Sequence, residues 1–464
     1  MTTADGKTRR HVDLTEGHIG WRMIAMAVPM LAGTFSMTAF NLADTWFVAK
    51  LGRESLAAMT FTFPVAMVMG SVAMAIGMGS TVVVSQALGE GNHEKASRVA
   101  TDCMLLTFVI VELLGLSMFA FMAPLFRLMN ASEELLPLIR SYMLFFLPFT
   151  GLAFLAMSAN SILRAAGDAK WPSFVMVFGA VANCILDPIL IFGWLGIPAL
   201  GIQGASIATT LTRILTLFLS LYVMHRRYGL IARPHLRIRE LMESWKHVLH
   251  IAAPSFVSNM LMPASMFILT GLVGKHGEAA VAAFGAGGRV EMFAYLCPMA
   301  LGISLVPLVG QNYGAGRFDR VEGCRRWSER LALGWGAVIA VVFFLAAPWI
   351  APRFSRGDPE VERYLTLYLR IMPFGYGLRE VLRYITIFLN AISRPMFSLA
   401  LNALFLAGFN VPFAIVGAHF YGVAGIFGGV MVGSNLAGLL ALVFGKYLIS
   451  ERALGNGTPV PVAA

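Results

Sequence analysis

Residues 55–89 read SLAAMTFTFPVAMVMGSVAMAIGMGSTVVVSQALG, 35 positions without one Asp, Glu, Lys or Arg. A helix needs about 20 apolar residues to cross roughly 30 Å of hydrocarbon, so this stretch is a membrane span. Uncharged runs of 21, 23 and 22 residues at 23–43, 141–163 and 331–352 each supply another. Residues 395–445 are uncharged for 51 positions, enough for two spans joined by a turn around 419–422. Residues 171–212 carry one charge, Asp187, and form a second hairpin with its turn in 193–204. With the stretches near 103–126, 247–274, 279–309 and 365–390, the total is twelve spans.

Composition points the same way. The chain has 464 residues, 58% apolar and 13% charged, with a mean hydropathy of +0.73. Water-soluble domains average about 45–50% apolar and about 25% charged, so the expected class is an all-α polytopic membrane protein. Twelve spans put both termini on one side. With the start in the cytoplasm, 22 of the 35 Lys and Arg lie on inner segments, 8 on outer loops and 5 within spans, as the positive-inside rule requires. Topology therefore accounts for the net charge of +10, and no nucleic-acid partner is implied. Residues 1–18 are polar and lack the apolar core of a cleavable signal. Cys103, Cys184, Cys297 and Cys324 have no C-x-x-C spacing, so neither a disulfide frame nor a metal cluster is expected.

The chain also repeats itself. A shift of 225 residues aligns Pro29 with Pro254, Lys50 with Lys275, Gly52 with Gly277 and Gln86 with Gln311, and over 29–91 it matches 18 of 63 positions without a gap. Pro148 and Phe149 meet Pro373 and Phe374 at the same offset, and Gly201-x-x-Gly204 resembles Gly422-x-x-Gly425 after a small deletion. Two six-helix copies entering the membrane in the same direction form a pseudo-symmetric pair about an axis along the membrane normal, a parallel-repeat transporter layout. The expected organisation is a cytoplasmic segment 1–18, a first lobe 19–224, a linker 225–247, a second lobe 248–450 and a cytoplasmic tail 451–464. The linker sets Arg226, Arg227, Arg233, Arg237, Arg239 and Lys246 against Leu236, Leu241, Met242 and Trp245. It reads either as an amphipathic helix on the anionic inner leaflet or as a solvated loop.

The copies differ where chemistry is expected. Asp44 in the first span and Asp187 in the fifth each cost roughly 2.5–3.5 kcal/mol on insertion scales if charged at a helix centre. Their repeat counterparts are Leu269 and, after a one-residue slip, Val411. The scaffold therefore does not need the acids. Asn183 is four residues before Asp187, on the same helix face, and Asn41 is one turn before Asp44. Such oxygens can bind a small cation, or hold a proton because burial and mutual repulsion disfavour two charges together. Other readings are that Asp44 lies near the hydrated surface and that Asp187, before Pro188, caps or bends a helix. Glu112 and Arg213 read as structural pairs or as snorkelling side chains.

In the second half, Arg289, Glu291, Arg379, Glu380 and Arg383 read as a mutually neutralising network, with gating, substrate contact or a second proton site at Glu380 as alternatives. Pro29 removes a helical hydrogen bond and permits a kink; with Asp44 on the same span, it suggests a gating bend. The 27 methionines are packing residues or line an adaptable pocket, and no Walker A sequence occurs.

Pro29 followed by Asn41-Leu-Ala-Asp44-Thr-Trp-Phe-Val-Ala, Gln86-Ala-Leu-Gly-Glu-Gly, Arg164-Ala-Ala-Gly-Asp168, Asn183-Cys-Ile-Leu-Asp187-Pro and Gly201-Ile-Gln-Gly-Ala-Ser-Ile-Ala-Thr209 resemble the multidrug and toxic compound extrusion (MATE) transporters across essentially the whole chain. The resemblance implies two six-helix lobes around a central cleft and cation-coupled efflux of amphipathic, often cationic, compounds. It implies a cation site, for H+ or Na+, at Asp44, Asn183, Asp187 and Thr209, with the Ala205 carbonyl nearby, a bending role for Pro29, and cavity positions at Asn41, Asn160, Met37 and Phe40. The last two are apolar where the family pattern is polar. The seventh span has no carboxylate, so the chain is nearer the DinF-like or prokaryotic type than the NorM-like one.

The expected function is thus a monomeric, multi-pass antiporter of a bacterial or archaeal cytoplasmic membrane. It would exchange drug-like compounds for H+ or Na+ by rocker-switch alternating access with bending of the first span, and would need no organic cofactor. A lipid-linked oligosaccharide flippase of the same superfamily is the near alternative. An intramembrane aspartyl enzyme is the distant one, since the aspartates lack the Tyr-Asp and Gly-x-Gly-Asp contexts of such proteases.

Overall fold

The computed structural model describes residues 12–232, 238–355 and 357–455. Among these the regular structure is helical. In chain order the first half forms α1 (Ile19–Ala49), α2 (Arg53–Gly89), α3 (His93–Ala120), the short α4 (Met122–Leu128), α5 (Leu136–Phe146), α6 (Thr150–Ala165), α7 (Lys170–Phe192) and α8 (Ile202–Val223). The second half forms α9 (Ile238–Gly274), α10 (Glu278–Gly314), α11 (Phe318–Ser355), α12 (Pro359–Ile371), α13 (Tyr376–Ala391), α14 (Pro395–Leu404) and α15 (Val411–Leu448), with a last short turn α16 (Glu451–Gly455).

Ten helical stretches among the described residues are long and apolar enough to cross a membrane. One of them, Pro395–Leu448, runs for 54 residues and leaves helical geometry at Gly422, so it is two spans. The twelfth is α12 with α13, joined through the 3-10 turn Met372–Gly375; Arg379, Glu380 and Arg383 make it too charged to register as apolar. The chain is therefore a twelve-span, all-α membrane protein of two six-span units.

The duplication reaches the helix boundaries. α2 begins and ends 225 residues before α10, and α3 begins 225 before α11. The fourth span breaks at the 3-10 turn Leu147–Phe149 and the tenth at Met372–Gly375, where Pro148 and Pro373 cannot donate to the helical ladder. Gly201 and Gly422 adopt the same positive-φ geometry, φ 57° and 58° with ψ −134° in both, a conformation open to glycine and strained for other residues. This fixes the local register of the last span of each copy at an offset of 221.

Two compact units result, one built on Ala25–Ala253 and one on the chain from Pro254 onward together with Thr15–Ile24. In the first unit, the opening turns of α9 are held by Arg98 on Glu240 at 2.8 Å and by the Trp245 indole donating to the Asp102 carbonyl at 3.0 Å. In the second, Arg320 donates to the Gly17 carbonyl at 3.0 Å and Trp327 meets His18 edge to face.

Among the described residues of the linker, Met224–Tyr228 winds on from α8 as a π-turn, and the helix from Ile238 is the start of α9. No Pro or Gly interrupts residues 238–253, so nothing in the chain ends the helix before the membrane. Arg233, Leu236 and Arg237, most of the N-terminal segment (residues 1–11) and the tail beyond 455 lie outside the described residues.

Candidate functional site

The first unit gathers the expected acids. Asp44, near the end of α1, is 6% exposed, and Asn183 and Asp187 on α7 are fully buried. Ala205 and Thr209 are buried on α8, the helix packed against α7, four residues apart on one face. Asp44 and Asp187 lie within electrostatic reach of each other, and Tyr142 on α5 lies within reach of both. Each acid is thus in a position to feel whatever charge the other carries.

α7 and α8 come together because Gly204 has no side chain. A Cβ there would run into the Leu190 carbonyl, and at Gly179 it would meet the Thr216 methyl at 3.0 Å. Pro188, inside α7, has no N–H to offer the carbonyl four residues before it, which leaves a backbone acceptor one turn from Asp187.

The polar atoms here are unusual for a buried cluster. Asp44 Oδ1, both Asp187 oxygens, Asn183 Oδ1 and Nδ2, Ser206 Oγ, Thr209 Oγ1 and Thr212 Oγ1 are buried and make no hydrogen bond of ordinary geometry with the protein. Asn183 approaches Asp187 without completing one. Buried polar groups are normally satisfied, and a buried charge without a partner is costly. Two carboxylates within reach of each other, with the Asn183 amide beside them, suit a bound proton or a small hard cation that prefers oxygen ligands. Among the described residues no group of three or more His, Cys, Asp or Glu is placed to hold a metal ion.

The other expected residues are divided. Asn160 on α6 is buried and accepts from Ser220 Oγ at 3.3 Å. Asn41, one turn before Asp44 on α1, is exposed, so its amide is not part of the buried set. Met37 is exposed, while Phe40 and Pro29 are half-buried. α1 runs as one uninterrupted helix through Pro29. Sequence reading left Arg213 and Glu112 undecided; Ser206 and Thr212, two of the several hydroxyls of α8, are also buried without a protein partner. Glu112 caps: its Oε2 accepts from the Gly151 backbone N–H at 2.7 Å, where α6 restarts after the 3-10 turn.

In the second unit the counterpart positions form hydrophobic core. Leu269, Ile426 and Val430 all belong to one buried apolar cluster. Glu291 is held by the Tyr368 hydroxyl and by Arg379 at 3.0 Å, and Arg379 stacks on Tyr295 at 5.4 Å. Arg383 donates through Nε to both Glu380 oxygens, at 3.0 and 2.8 Å. The expected neutralising network is thus two ion pairs, Glu291 with Arg379 and Glu380 with Arg383. Arg289 is not part of it, because it is exposed on the far side of α10 from Glu291, two residues or about 200° away.

Known proteins resemble this chain along its length. The family model described as MatE matches twice, at residues 29–189 and 254–416. A protein named FAD transporter from Shewanella oneidensis is 34% identical over 439 residues, 95% of this chain and 96% of its own. The probable multidrug resistance protein YoeA of Bacillus subtilis is 27% identical over 92% of this chain and 93% of its own. Among solved structures, the Vibrio cholerae MATE transporter VcmN in its bent form superposes with a TM-score of 0.87 at 31% identity, covering 94% of this chain and 97% of VcmN.

Proposed function

We propose a function from one premise: this chain belongs to the MatE family of membrane transporters. It is a transporter and not an enzyme, so the aspartyl-enzyme alternative falls away. The function we infer is cation-coupled efflux of amphipathic, often cationic, compounds, by a monomer in the cytoplasmic membrane. The observation that carries it is the Asp44–Asp187 pair, buried in one copy of a duplicated scaffold among oxygens that find no protein partner. In the outward-open state the pair takes up one H+ or Na+, cargo leaves, and the ion is released inward after the alternating-access step, with α1 bending at Pro29.

One elementary charge crossing 100 mV supplies about 2.3 kcal/mol, or roughly 1.7 decades of cargo gradient. A monovalent cationic drug leaving would cancel that electrical gain, so its export would rest on the chemical gradient of the ion. The name of the S. oneidensis relative favours a second cargo, flavin adenine dinucleotide. Its pyrophosphate is anionic, so an inside-negative potential would assist its exit instead of opposing it.

Proteoliposomes loaded with ethidium or with FAD test both readings under imposed pH-only, sodium-only and potential-only gradients. We expect efflux of at least one cargo under a pH or sodium gradient, and its loss in Asp44→Asn and Asp187→Asn proteins that still elute as folded monomers. Export of FAD alone would assign the dinucleotide reading. Translocation of a lipid-linked oligosaccharide, with neither compound moved, would overturn the efflux reading in favour of a flippase.

A further inference from the structure

Arg213 on α8 has no role in the site described so far. It stands four residues after Thr209 and eight after Ala205, and therefore on the face of α8 that lines the site. Its guanidinium is partly buried and lies over the Phe154 ring, 4.6 Å from the centroid. No hydrogen bond or ion pair joins that guanidinium to another described residue. Phe154 belongs to one buried cluster with Tyr142, Ala205 and Val48, and Val48 stands one turn after Asp44 on α1. The guanidinium therefore lies at the Asp44 end of the site, within electrostatic reach of Tyr142 and Asp44, whereas Asp187 is within reach of Asp44 and Asn183.

The repeat supplies independent support. With the register of the last spans anchored by Gly201 and Gly422, the counterparts of Ala205, Thr209 and Arg213 are Ile426, Val430 and Ser434. At the 225 offset Tyr142 corresponds to Leu367 and Asp44 to Leu269. The copy without the acids is also without the arginine. A basic residue kept only for packing or lipid snorkelling has no reason to follow the carboxylates; a counter-charge does.

We propose that Arg213 is the resident counter-charge of Asp44, which leaves Asp187 as the carboxylate that exchanges the ion and fixes the load of the pair at one monovalent cation per cycle. The inference rests on the ion-coupling reading of Asp44 and Asp187. With both acids ionised and Arg213 present, the unloaded cluster carries one net negative charge, and a single H+ or Na+ brings it to zero. Without the arginine the cluster carries two, and neutrality requires two ions. Uncompensated buried charge is strongly disfavoured, so the conformational step selects the neutral load. The titratable groups around the cluster are Asp44 on α1, Tyr142 on α5, Cys184 and Asp187 on α7, and Arg213 itself. Glu112 on α3 is committed to Gly151, and α2 offers no titratable side chain between residues 55 and 89.

The test counts ions on the purified full chain in lipid nanodiscs, without cargo. Proton uptake on a jump from alkaline to mildly acid pH, and equilibrium binding of radioactive sodium, are each measured against the Asp44→Asn/Asp187→Asn double variant to remove all other groups. We expect one ion per wild-type protein, one in Arg213→Lys, where the charge is kept, and two in Arg213→Gln, where it is removed. Two ions in the wild type would overturn the proposal even if Arg213→Gln does not fold, and so would one ion in a folded Arg213→Gln protein. If the double variant takes up as many protons and sodium ions as the wild type, it is the ion-coupling reading itself that fails.

Discussion

Glu112 shows how a single buried charge takes its meaning from one backbone atom. Its sequence context, a lone acid in an apolar span, fits pairing or snorkelling equally well; the 2.7 Å bond from Gly151 N–H resolves it as a cap on a helix that restarts inside the membrane. Glu112→Leu leaves that N–H unsatisfied and should cost about 1–3 kcal/mol, whereas Glu112→Gln, which still offers an acceptor, should cost less; thermal unfolding in detergent ranks the two. Arg379 is a harsher case. Arg379→Leu strands Glu291 without its counter-charge, a loss of about 3–5 kcal/mol for a buried pair, and Glu291→Leu in the same chain should restore most of it. Equal melting points for Arg379→Leu and the double variant would refute a neutralising role for the pair.

At the scale of the element, α1 joins an apolar run, a proline and an acid in one helix. Its first turns, up to Ile24, belong with the second unit, and the remainder from Ala25 with the first. Pro29 lies just past that change, and its repeat counterpart Pro254 lies at the corresponding change in α9. A residue that removes a helical hydrogen bond is suited to a place where one helix serves two bodies. Pro29→Ala should therefore lower turnover in an efflux assay several-fold while leaving the yield of folded protein and the ion count per protein unchanged; undiminished efflux would remove the hinge. The tenth span is the opposite lesson. α12 and α13 carry too many charges to read as an apolar run; those charges neutralise one another within the second unit, and the repeat, with Pro373 opposite Pro148, is what identifies them as a span.

For the molecule as a whole, the distribution of Lys and Arg predicts that both termini face the cytoplasm. A fluorescent protein fused after residue 464 should fold and fluoresce in cells, and alkaline phosphatase at the same point should be inactive; the reverse pattern would invert the topology. The length and number of spans, the duplication and the confinement of Asp44 and Asp187 to one copy could all be read from the chain. Hydrocarbon makes each depend on local composition, since a span must be long, apolar and internally hydrogen-bonded wherever it sits. Which polar groups meet could not be read in that way. That Asp44 and Asp187 come within reach of each other, that Arg213 lies over Phe154, that Glu112 caps α6 and that Arg289 stands outside the ion-pair network all depend on the rotation and depth of each helix. Those are set by close packing across neighbours, as at Gly204 against Leu190, through many weak contacts that no periodicity within a single span encodes.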